Sequence, residues 1–415
     1  MKTRSSSTCC KAFATSTNLI NSGVFASKSM PVPVRYPGVY VEEVPPYEPI
    51  AGVATSVTAF VGDTIIGPVN DPAHIHSFRE FERTFGGLSP SSPLSYAVQQ
   101  FYLNGGADAL IVRVQKAGDI VTDGDIVGSR ESGTGIYALD KINLFNLLCI
   151  PPLDFDRDPN PRSTLDPALE YCKERNAILI VDAPAFWLTK ADAETNMTAF
   201  MPRDSNAAVY FPRLRIDEDS IHIFAPCGAV CGVIARTDIE GGVWKSPSGI
   251  SATLTGVREL TCQLNDSDLG ELSRLGLNCL RALPMAGPAI WGARTLESAG
   301  GQISEWKYLS VRRLALFIEE SVCRGLKWVT FEPNDESLWI KIRLTVNAFM
   351  LGLFRSGALE GVTTSEAYFV QCGAETTTQA DLDSGVVNIL VGFAPLRAAE
   401  FIVFTIRQKA RNAGS

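Results

Sequence analysis

The stretch LWIKIRLTVNAFMLGLF, residues 338–354, decides the fold of the last third of the chain. Its apolar residues recur every three or four positions, which predicts a helix buried along one face. The preceding stretch SVRRLALFIEESVCRGLKW, residues 310–328, has the same spacing, and Asn334 or Asp335 can cap the second helix. Three apolar stretches then predict strands at residues 367–372, 386–393 and 400–407.

The final predicted strand is apolar on both faces, because Phe401 and Val403 alternate with Ile402 and Phe404. Such a strand needs cover on both sides. Because it lies close to the end of the chain, it can leave its own domain and complete the sheet of another molecule. We therefore expect this region, rather than a catalytic pocket, to be the functional part of the protein.

Upstream, the sequence alternates between short apolar strands and amphipathic helices. This alternation predicts an α/β domain over residues 57–295, with central strands buried on both faces. A glycine- and aspartate-rich segment near residues 116–143 interrupts it and is interpreted as a surface excursion. The predicted strands are 56–63, 108–114, 144–151, 177–184 and 207–212, and the predicted helices are 77–85, 94–103, 165–175, 191–201 and the small-residue helix 228–236.

The first 35 residues are rich in serine, threonine and basic side chains, and the first acidic residue is Glu42. We interpret them as a flexible arm, with residues 1–29 as an extension ahead of a start at Met30; an organelle transit peptide is the alternative. The arm leads into a short strand around Tyr40, bracketed by prolines, which belongs at a sheet edge or in an extended arm.

Composition excludes several classes of function. The chain has 415 residues, of which 46% are hydrophobic and 20% charged, as in globular proteins of more than one domain. Its net charge of -8 argues against nucleic acid as the main partner. No apolar run reaches the roughly 20 residues that a membrane span needs, so no membrane insertion is expected. None of the ten cysteines forms a CxxC pair, which favours buried free thiols in a reducing compartment over disulfides.

A search for chemical motifs predicts no catalytic residue, no cofactor site and no metal site. There is no phosphate-binding GxxxxGK[ST] loop, and the glycines Gly133 and Gly135 follow a polar segment instead of a strand. His74 and His76 can share one face of a strand, but no third ligand is evident, so an exposed or structural pair is favoured. Cys227 and Cys231 have helical spacing without a second metal-binding pair, which favours packing thiols.

Eight segments, spread in order over residues 36–407, are similar to segments of a known protein family. The chain resembles the sheath proteins of contractile phage tails and related contractile injection systems, whereas residues 1–29 do not align and residues 116–143 align weakly. The segments are YPGVYVEE (36–43), LSYAVQQFYLNGGADA (94–109), AVYFPR (208–213), WKSPSG (244–249), IWGARTL (290–296), WKYLSVRR (306–313), WVTFEPND (328–335) and VGFAPL (391–396).

The resemblance implies an α/β protein, α+β overall, in which an outer α/β domain is inserted into an inner domain built from both ends of the chain. Residues 36–56 would be the N-terminal linking strand, 57–295 the outer domain and 296–415 the inner sheath domain. It also implies strand exchange between neighbouring subunits, a form of β-augmentation. The residues assigned to this exchange are Val39, Tyr40 and Val41 in the arm and Phe401, Ile402, Val403, Phe404 and Ile406 in the last strand.

The implied function is a structural subunit without cofactor or enzymatic activity. It would polymerise as a helical array around an inner tube, assemble in the cytoplasm of the producing cell and contact baseplate and terminal cap proteins. We hypothesise a tube contact through Lys341, Arg343 or Arg355. The alternatives are a nucleotide-binding, doubly wound α/β enzyme and another tail or baseplate component with the sheath fold.

Overall fold

The computed structural model describes residues 49–116, 118, 120–200, 203–216, 223–298, 304–396 and 402–409, the last segment by its backbone. Val39, Tyr40, Val41 and Phe401, four of the residues assigned to strand exchange, lie outside this part of the chain. The described residues form a mixed α/β fold, which confirms the predicted fold class.

Within these residues, thirteen strands form three sheets. The largest has eight strands, the C-terminal sheet has three, and β7 and β8 pair as a short ribbon. The strands are β1 (Thr58–Gly62), β2 (Ala73–Ile75), β3 (Ala109–Arg113), β4 (Leu147–Cys149), β5 (Ile178–Asp182), β6 (Ala207–Phe211), β7 (Leu214–Arg215), β8 (Glu259–Leu260), β9 (Leu277–Leu283), β10 (Gly287–Ile290), β11 (Tyr368–Gln371), β12 (Val386–Phe393) and β13 (Ile402–Lys409).

The larger sheet has the order β10-β9-β6-β5-β4-β1-β3-β2. Its six inner strands run parallel, and β2 and β10 close its two edges in antiparallel pairing. Side chains alternate between two buried cores, so that Phe60 and Ile111 face one core while Val61 and Val112 face the other. Helices cover both faces, as expected for a parallel sheet with continuous apolar strands.

In the same described ranges, eleven α-helices accompany the strands, together with short 3₁₀ segments and a π-helical turn. The helices are α1 (Phe78–Phe85), α2 (Pro93–Leu103), α3 (Asp123–Val127), α4 (Asp166–Glu174), α5 (Lys190–Phe200), α6 (Cys227–Gly241), α7 (Asp266–Arg274), α8 (Leu309–Gly325), α9 (Glu336–Arg355), α10 (Thr364–Ala367) and α11 (Gln379–Asp383).

Helices α2 and α6 pack backbone against backbone on one face of the larger sheet. A Cβ atom at Gly228 would lie 2.0 Å from the carbonyl oxygen of Ala97, and one at Gly232 would lie 2.4 Å from that of Phe101. The small-residue pattern that predicts a packed helix is therefore explained by this crossing.

The C-terminal helices α8 and α9 and the sheet β11-β12-β13 share a third core. Asp335 is the N-cap of α9, since its Oδ1 accepts a hydrogen bond of 2.9 Å from the backbone N–H of Leu338. Asn334, the other predicted cap, instead accepts a bond of 2.8 Å from the indole N–H of Trp339. Both predicted helices are confirmed, with ends that differ by one to three residues.

A buried ion pair joins α8 to α6. The guanidinium of Arg313 contacts both carboxylate oxygens of Asp238 at 2.8 and 2.5 Å and donates to the carbonyl oxygen of Thr55 at 2.8 Å. The two side chains are 3% and 4% exposed. Breaking one partner of such a pair leaves a buried charge uncompensated, so the pair fixes the position of α8 against the larger sheet.

Candidate functional site

The C-terminal sheet is built around β12. On one face of this strand Val387, Ile389, Val391 and Phe393 are fully buried in the core shared with α8 and α9. This spacing of two residues is typical of a strand that packs one face on a core. The strand predicted from the sequence has the same two ends as β12. The strand β11 pairs with one edge of β12, antiparallel.

The other edge of β12 is paired with β13 of the same chain. The antiparallel ladder has eight residue pairs, from Val386 opposite Lys409 to Phe393 opposite Ile402. The predicted strand at residues 400–407 is therefore found at 402–409, and it contains the predicted exchange residues Ile402, Val403, Phe404 and Ile406. In this single chain β13 completes its own sheet, and its donation to another molecule stays a prediction.

The outer edges of β13 and β11 have no strand partner among the described residues. An edge strand presents a row of unpaired N–H and C=O groups, which is a template for pairing with another chain. Because these groups belong to the backbone, the pairing requires little of the partner's side chains. The C-terminal sheet therefore offers two places where a strand can be added.

The three predicted tube-contact residues have different surroundings on α9. Arg343 is held within the molecule, because its guanidinium bonds the carbonyl oxygen of Cys372 and lies 3.1 Å from the Glu336 carboxylate. Lys341 is half-buried, and Arg355 is exposed in the last turn. The sequence search missed two exposed apolar neighbours, Ile340 at 43% and Leu344 at 63% exposure.

Among the described residues, α9 is long and apolar enough to cross a membrane, with a mean hydropathy of 1.3. Its sequence is not one uninterrupted apolar run, because Lys341 and Arg343 lie within it. A buried stripe that includes Ile342, Val346 and Met350 packs into the C-terminal core. Polar residues such as Lys341 and Asn347 lie between these positions. This distribution is typical of a core helix, which passes the same length and hydropathy test.

The carboxyl edge of the parallel strands is where a doubly wound enzyme would bind its ligand. Here several of its charged groups pair with one another. Lys116 lies 2.5 Å from Asp63 after β1. Arg213 bonds Asp158 and the carbonyl oxygen of Ala183. Each of these four charged side chains is therefore bonded to another group of the fold.

Beside β4, the same edge is filled by aromatic rings. Tyr96, Phe155 and Phe224 pack in edge-to-face and tilted pairs, with ring centroids 4.9–5.8 Å apart. Gly133 lies between α3 and the 3₁₀ segment that begins at Gly135, so the two glycines follow a helix instead of the strand that a dinucleotide-binding loop requires.

The cysteine interpretation is confirmed for Cys227 and Cys231, which are fully buried in α6. The sulfur of Cys231 lies 3.2 Å from that of Cys149 on β4. Burial raises the pKa of Cys149 well above its ordinary value. The thiolate, which is the reactive form, is therefore disfavoured.

The histidine pair has a neighbour that the sequence search missed. His74 and His76 lie on the edge strand β2 and directly after it, and both are exposed, as expected. Asp108 lies beside them, although it is more than 30 residues away in sequence, and it offers a third donor atom that the sequence search did not find. The register of β2 against β3 brings the three side chains together.

Comparisons with known proteins find one family model and several solved structures that resemble the chain. Residues 302–409 match the family model described as the phage tail sheath C-terminal domain. The chain is similar to the sheath complex of the extracellular contractile injection system PVC in the contracted state, at 27% identity and a TM-score of 0.71, over 90% of this chain and 98% of that one. It is similar in the same way to the helical sheath of the anti-feeding prophage in the contracted state, at 27% identity and a TM-score of 0.70, over 90% of this chain and 99% of that one.

A sheath tail protein from Listeria innocua shares the fold, at 12% identity and a TM-score of 0.58, over 87% of this chain and 96% of that one. No curated protein sequence matches the chain significantly.

Proposed function

We propose that this chain is a structural subunit of a contractile sheath, because its C-terminal segment matches the phage tail sheath C-terminal domain and 90% of its length is similar to solved contractile sheath proteins. Its copies polymerise as a helical array around an inner tube, and contraction drives the tube through a target envelope. The observation that carries this proposal is that the segment matching the sheath domain forms the sheet with open edges. The paired charges at the carboxyl edge of the larger sheet favour this structural role over catalysis by a nucleotide-binding enzyme.

Neighbouring subunits are linked by exchanged strands. In the assembled sheath, residues 401–407, with Phe401, Ile402, Val403, Phe404 and Ile406, pair with β12 of a neighbour in the ladder that β13 makes within the single chain. The arm around Val39, Tyr40 and Val41 adds at an open edge of the same sheet. Exchange of identical elements between copies has a low cost in free energy, because the ladder that opens in one molecule forms again in its neighbour.

The chain divides into an outer domain, residues 57–295, and an inner domain formed by residues 36–56 and 296–415. Contacts between the two ends of the chain support this division. The backbone N–H of Val53 donates to Ser321 Oγ of α8 at 3.1 Å, and a Cβ atom at Gly325 would lie 2.6 Å from the side chain of Ile50. The segment preceding β1 therefore packs on α8.

The outward face of α9 contacts the inner tube. Ile340, Leu344 and Arg355 are exposed at spacings of four and eleven residues, and they share one side of the helix. Lys341 lies beside them, whereas the internal bonds of Arg343 give it mainly a structural role. An apolar stripe ending in one cation suits a partner with an apolar groove and an acidic rim.

Contraction releases free energy by repacking subunits through larger interfaces, so it needs no nucleotide hydrolysis. Subunits assemble in the cytoplasm of the producing cell and become part of a tail or injection particle with baseplate and terminal cap proteins. Open helical growth follows from heterologous contacts that do not close into a ring.

Negative-stain electron microscopy tests the assembly. We expect hollow cylinders from the full chain and from a control that ends at Lys409, and none from a chain that ends at Ala399 and lacks β13. Cylinders from the shortest chain would reject the role of the last strand. Compact particles from all three, in the presence of a tube protein, would reject the sheath function.

Disulfide trapping separates donation of β13 from pairing within one chain. Leu390 and Thr405 are directly opposed in the ladder, where Cβ atoms lie about 4.5–5.5 Å apart. In oxidised cylinders of the Leu390→Cys/Thr405→Cys variant, donated strands give a covalent ladder of oligomers on a non-reducing gel. The Leu390→Cys variant alone is the control. A monomer band carrying an internal disulfide in the double variant would contradict strand donation while leaving the sheath function intact.

A further inference from the structure

Two imidazoles and one carboxylate converge at the outer edge of the larger sheet. His74 and His76 are two residues apart on one face of the edge strand, and Asp108 immediately precedes β3, opposite His76 when the β2–β3 register is continued by one residue. Asp108 Oδ1 lies 2.8 Å from His76 Nδ1 and 3.4 Å from His74 Nε2. The centroids of the two imidazole rings are 4.5 Å apart.

The distances fit a small tetrahedral metal ion. The three ligand atoms lie within 4.8 Å of one another. Bonds of roughly 2.1 Å to a tetrahedral ion place its ligand atoms about 3.4 Å apart, which is the separation between Asp108 and His74. The shorter contact with His76 needs to widen by roughly 0.6 Å on this geometry, and rotation of the exposed His76 side chain, 62% accessible, permits this.

The backbone that carries the three side chains is held in place. Tyr102 Oη donates to the carbonyl oxygen of Ile75 at 2.6 Å, between the two histidines. The backbone N–H of His76 donates to Glu80 Oε2 at 2.9 Å. The carbonyl oxygen of Asp108 accepts a bond of 3.1 Å from the N–H of Thr58 on β1. The backbone positions of the three ligand residues are therefore fixed before an ion binds, and side-chain rotation adjusts the distances between the ligand atoms.

The local charge also favours a cation. Burial raises the pKa of Tyr102, and the negative charges of Asp108 and Glu80 raise it further. The same two carboxylates stabilise a divalent cation beside the imidazoles. Two nitrogen donors and one oxygen donor distinguish the cluster from Ca²⁺ and Mg²⁺ sites, which are built from oxygen atoms.

We propose that His74, His76 and Asp108 form a binding site for one divalent transition-metal ion of the Zn²⁺ class, with the fourth position open to solvent. Three protein ligands with an open position are the arrangement of an exchangeable site and not of a closed structural one. The ion joins the edge strand β2 to the start of β3, on the side of the sheet away from β10. The site is independent of the proposed strand exchange, since it lies on the larger sheet.

Calorimetric titration of the full-length protein with ZnCl₂ tests the proposal, and the visible spectrum of the Co²⁺-loaded protein reports the coordination geometry. We expect one ion per chain to bind at these residues, with a tetrahedral Co²⁺ spectrum. Both signals weaken on acidification, because imidazole must lose its proton to bind a metal. Further ions bound elsewhere, for example at thiols, persist in all variants.

Single substitutions identify the ligands. His74→Asn and His76→Asn each weaken this binding at least tenfold, and Asp108→Asn does the same. The matched control is His222→Asn, which changes the third histidine of the chain and leaves the titration unaltered. Metal-free circular dichroism melts check folding, and the two exposed histidine variants carry the test if Asp108→Asn fails to fold. Titrations of His74→Asn and His76→Asn that match the unaltered protein would overturn the proposal, as would the absence of binding at millimolar Zn²⁺.

Discussion

Replacing Gly228 by alanine places a methyl group inside the contact between α2 and α6. The added Cβ atom would lie 2.0 Å from the carbonyl oxygen of Ala97 and 2.6 Å from its carbonyl carbon. Both atoms belong to backbone, which cannot rotate away as a side chain can. Since Cβ atoms essentially never approach heavy atoms below 3.0 Å, the two helices must separate by roughly 1 Å or more.

The loss of stability arises because separation of the two helices disturbs the packing of buried apolar side chains. Side chains of α6 that follow Gly228, among them Val230 and Ile234, are fully buried in the core between the helices and the sheet. Overpacking of this kind costs about 1–3 kcal/mol, and the gain in helix propensity on replacing glycine returns about 0.5–1 kcal/mol. We expect a net loss of about 1 kcal/mol in the free energy of unfolding.

Gly270 provides the matched control. It is exposed in α7, in the same α/β region, and no atom lies within 4 Å of a Cβ built there. Gly270→Ala should therefore stabilise the protein, by about 0.5–1 kcal/mol. Urea denaturation followed by far-ultraviolet circular dichroism measures both variants. An unchanged midpoint for Gly228→Ala, or equal losses in the two variants, would refute the reasoning.

Two further predictions concern buried charges. Arg313→Met should lower the free energy of unfolding by roughly 3–5 kcal/mol, because it leaves the buried carboxylate of Asp238 without its cation. The double variant Arg313→Met/Asp238→Leu should recover most of that loss. Urea midpoints of a double-mutant cycle measure this, and additive losses would contradict it. Burial raises the pKa of Asp182 to about 6 from an ordinary value of 3.8. Between those values the folded state holds a proton that the unfolded chain has released, so the free energy of unfolding falls as pH rises through this window. Asp182→Asn should flatten that slope, so that the change in the free energy of unfolding between about pH 4 and pH 7 differs between the two proteins by on the order of 2 kcal/mol. Equal slopes in the two proteins would show that Asp182 is not the titrating group.

The accuracy of the sequence predictions depended on how much apolar surface each element buries. The strand β12 and the helices α8 and α9 were predicted within three residues, because their burial on one face imposes a regular spacing. The strands β9 and β10 were missed. The first carries Asn278 and Arg281 among its apolar residues, and the second begins with Gly287 and Pro288. Glycine and proline are depleted in strands, and the edge position of β10 is what tolerates them.

Sequence patterns could not predict contacts between residues that are distant from each other in the chain. Asp108 joins the two histidines, and Arg313 joins Asp238, through strand register and helix placement across a folded domain. The partner of β13 is a similar case. Its apolar sequence predicts a strand that needs cover on both sides, but backbone hydrogen bonding alone does not specify which molecule supplies the neighbouring strand.

The sequence by itself determined the α/β character of the chain, the buried free thiols and the resemblance to contractile sheaths, since local periodicity and segment order are written directly in the residue pattern. Only the tertiary structure decided that Asp335 caps α9, that Arg343 is engaged within the molecule and that Asp108 completes a three-donor cluster with His74 and His76. The physical reason is that such contacts are set by how strands align and helices cross, which depends on the packing of the whole core.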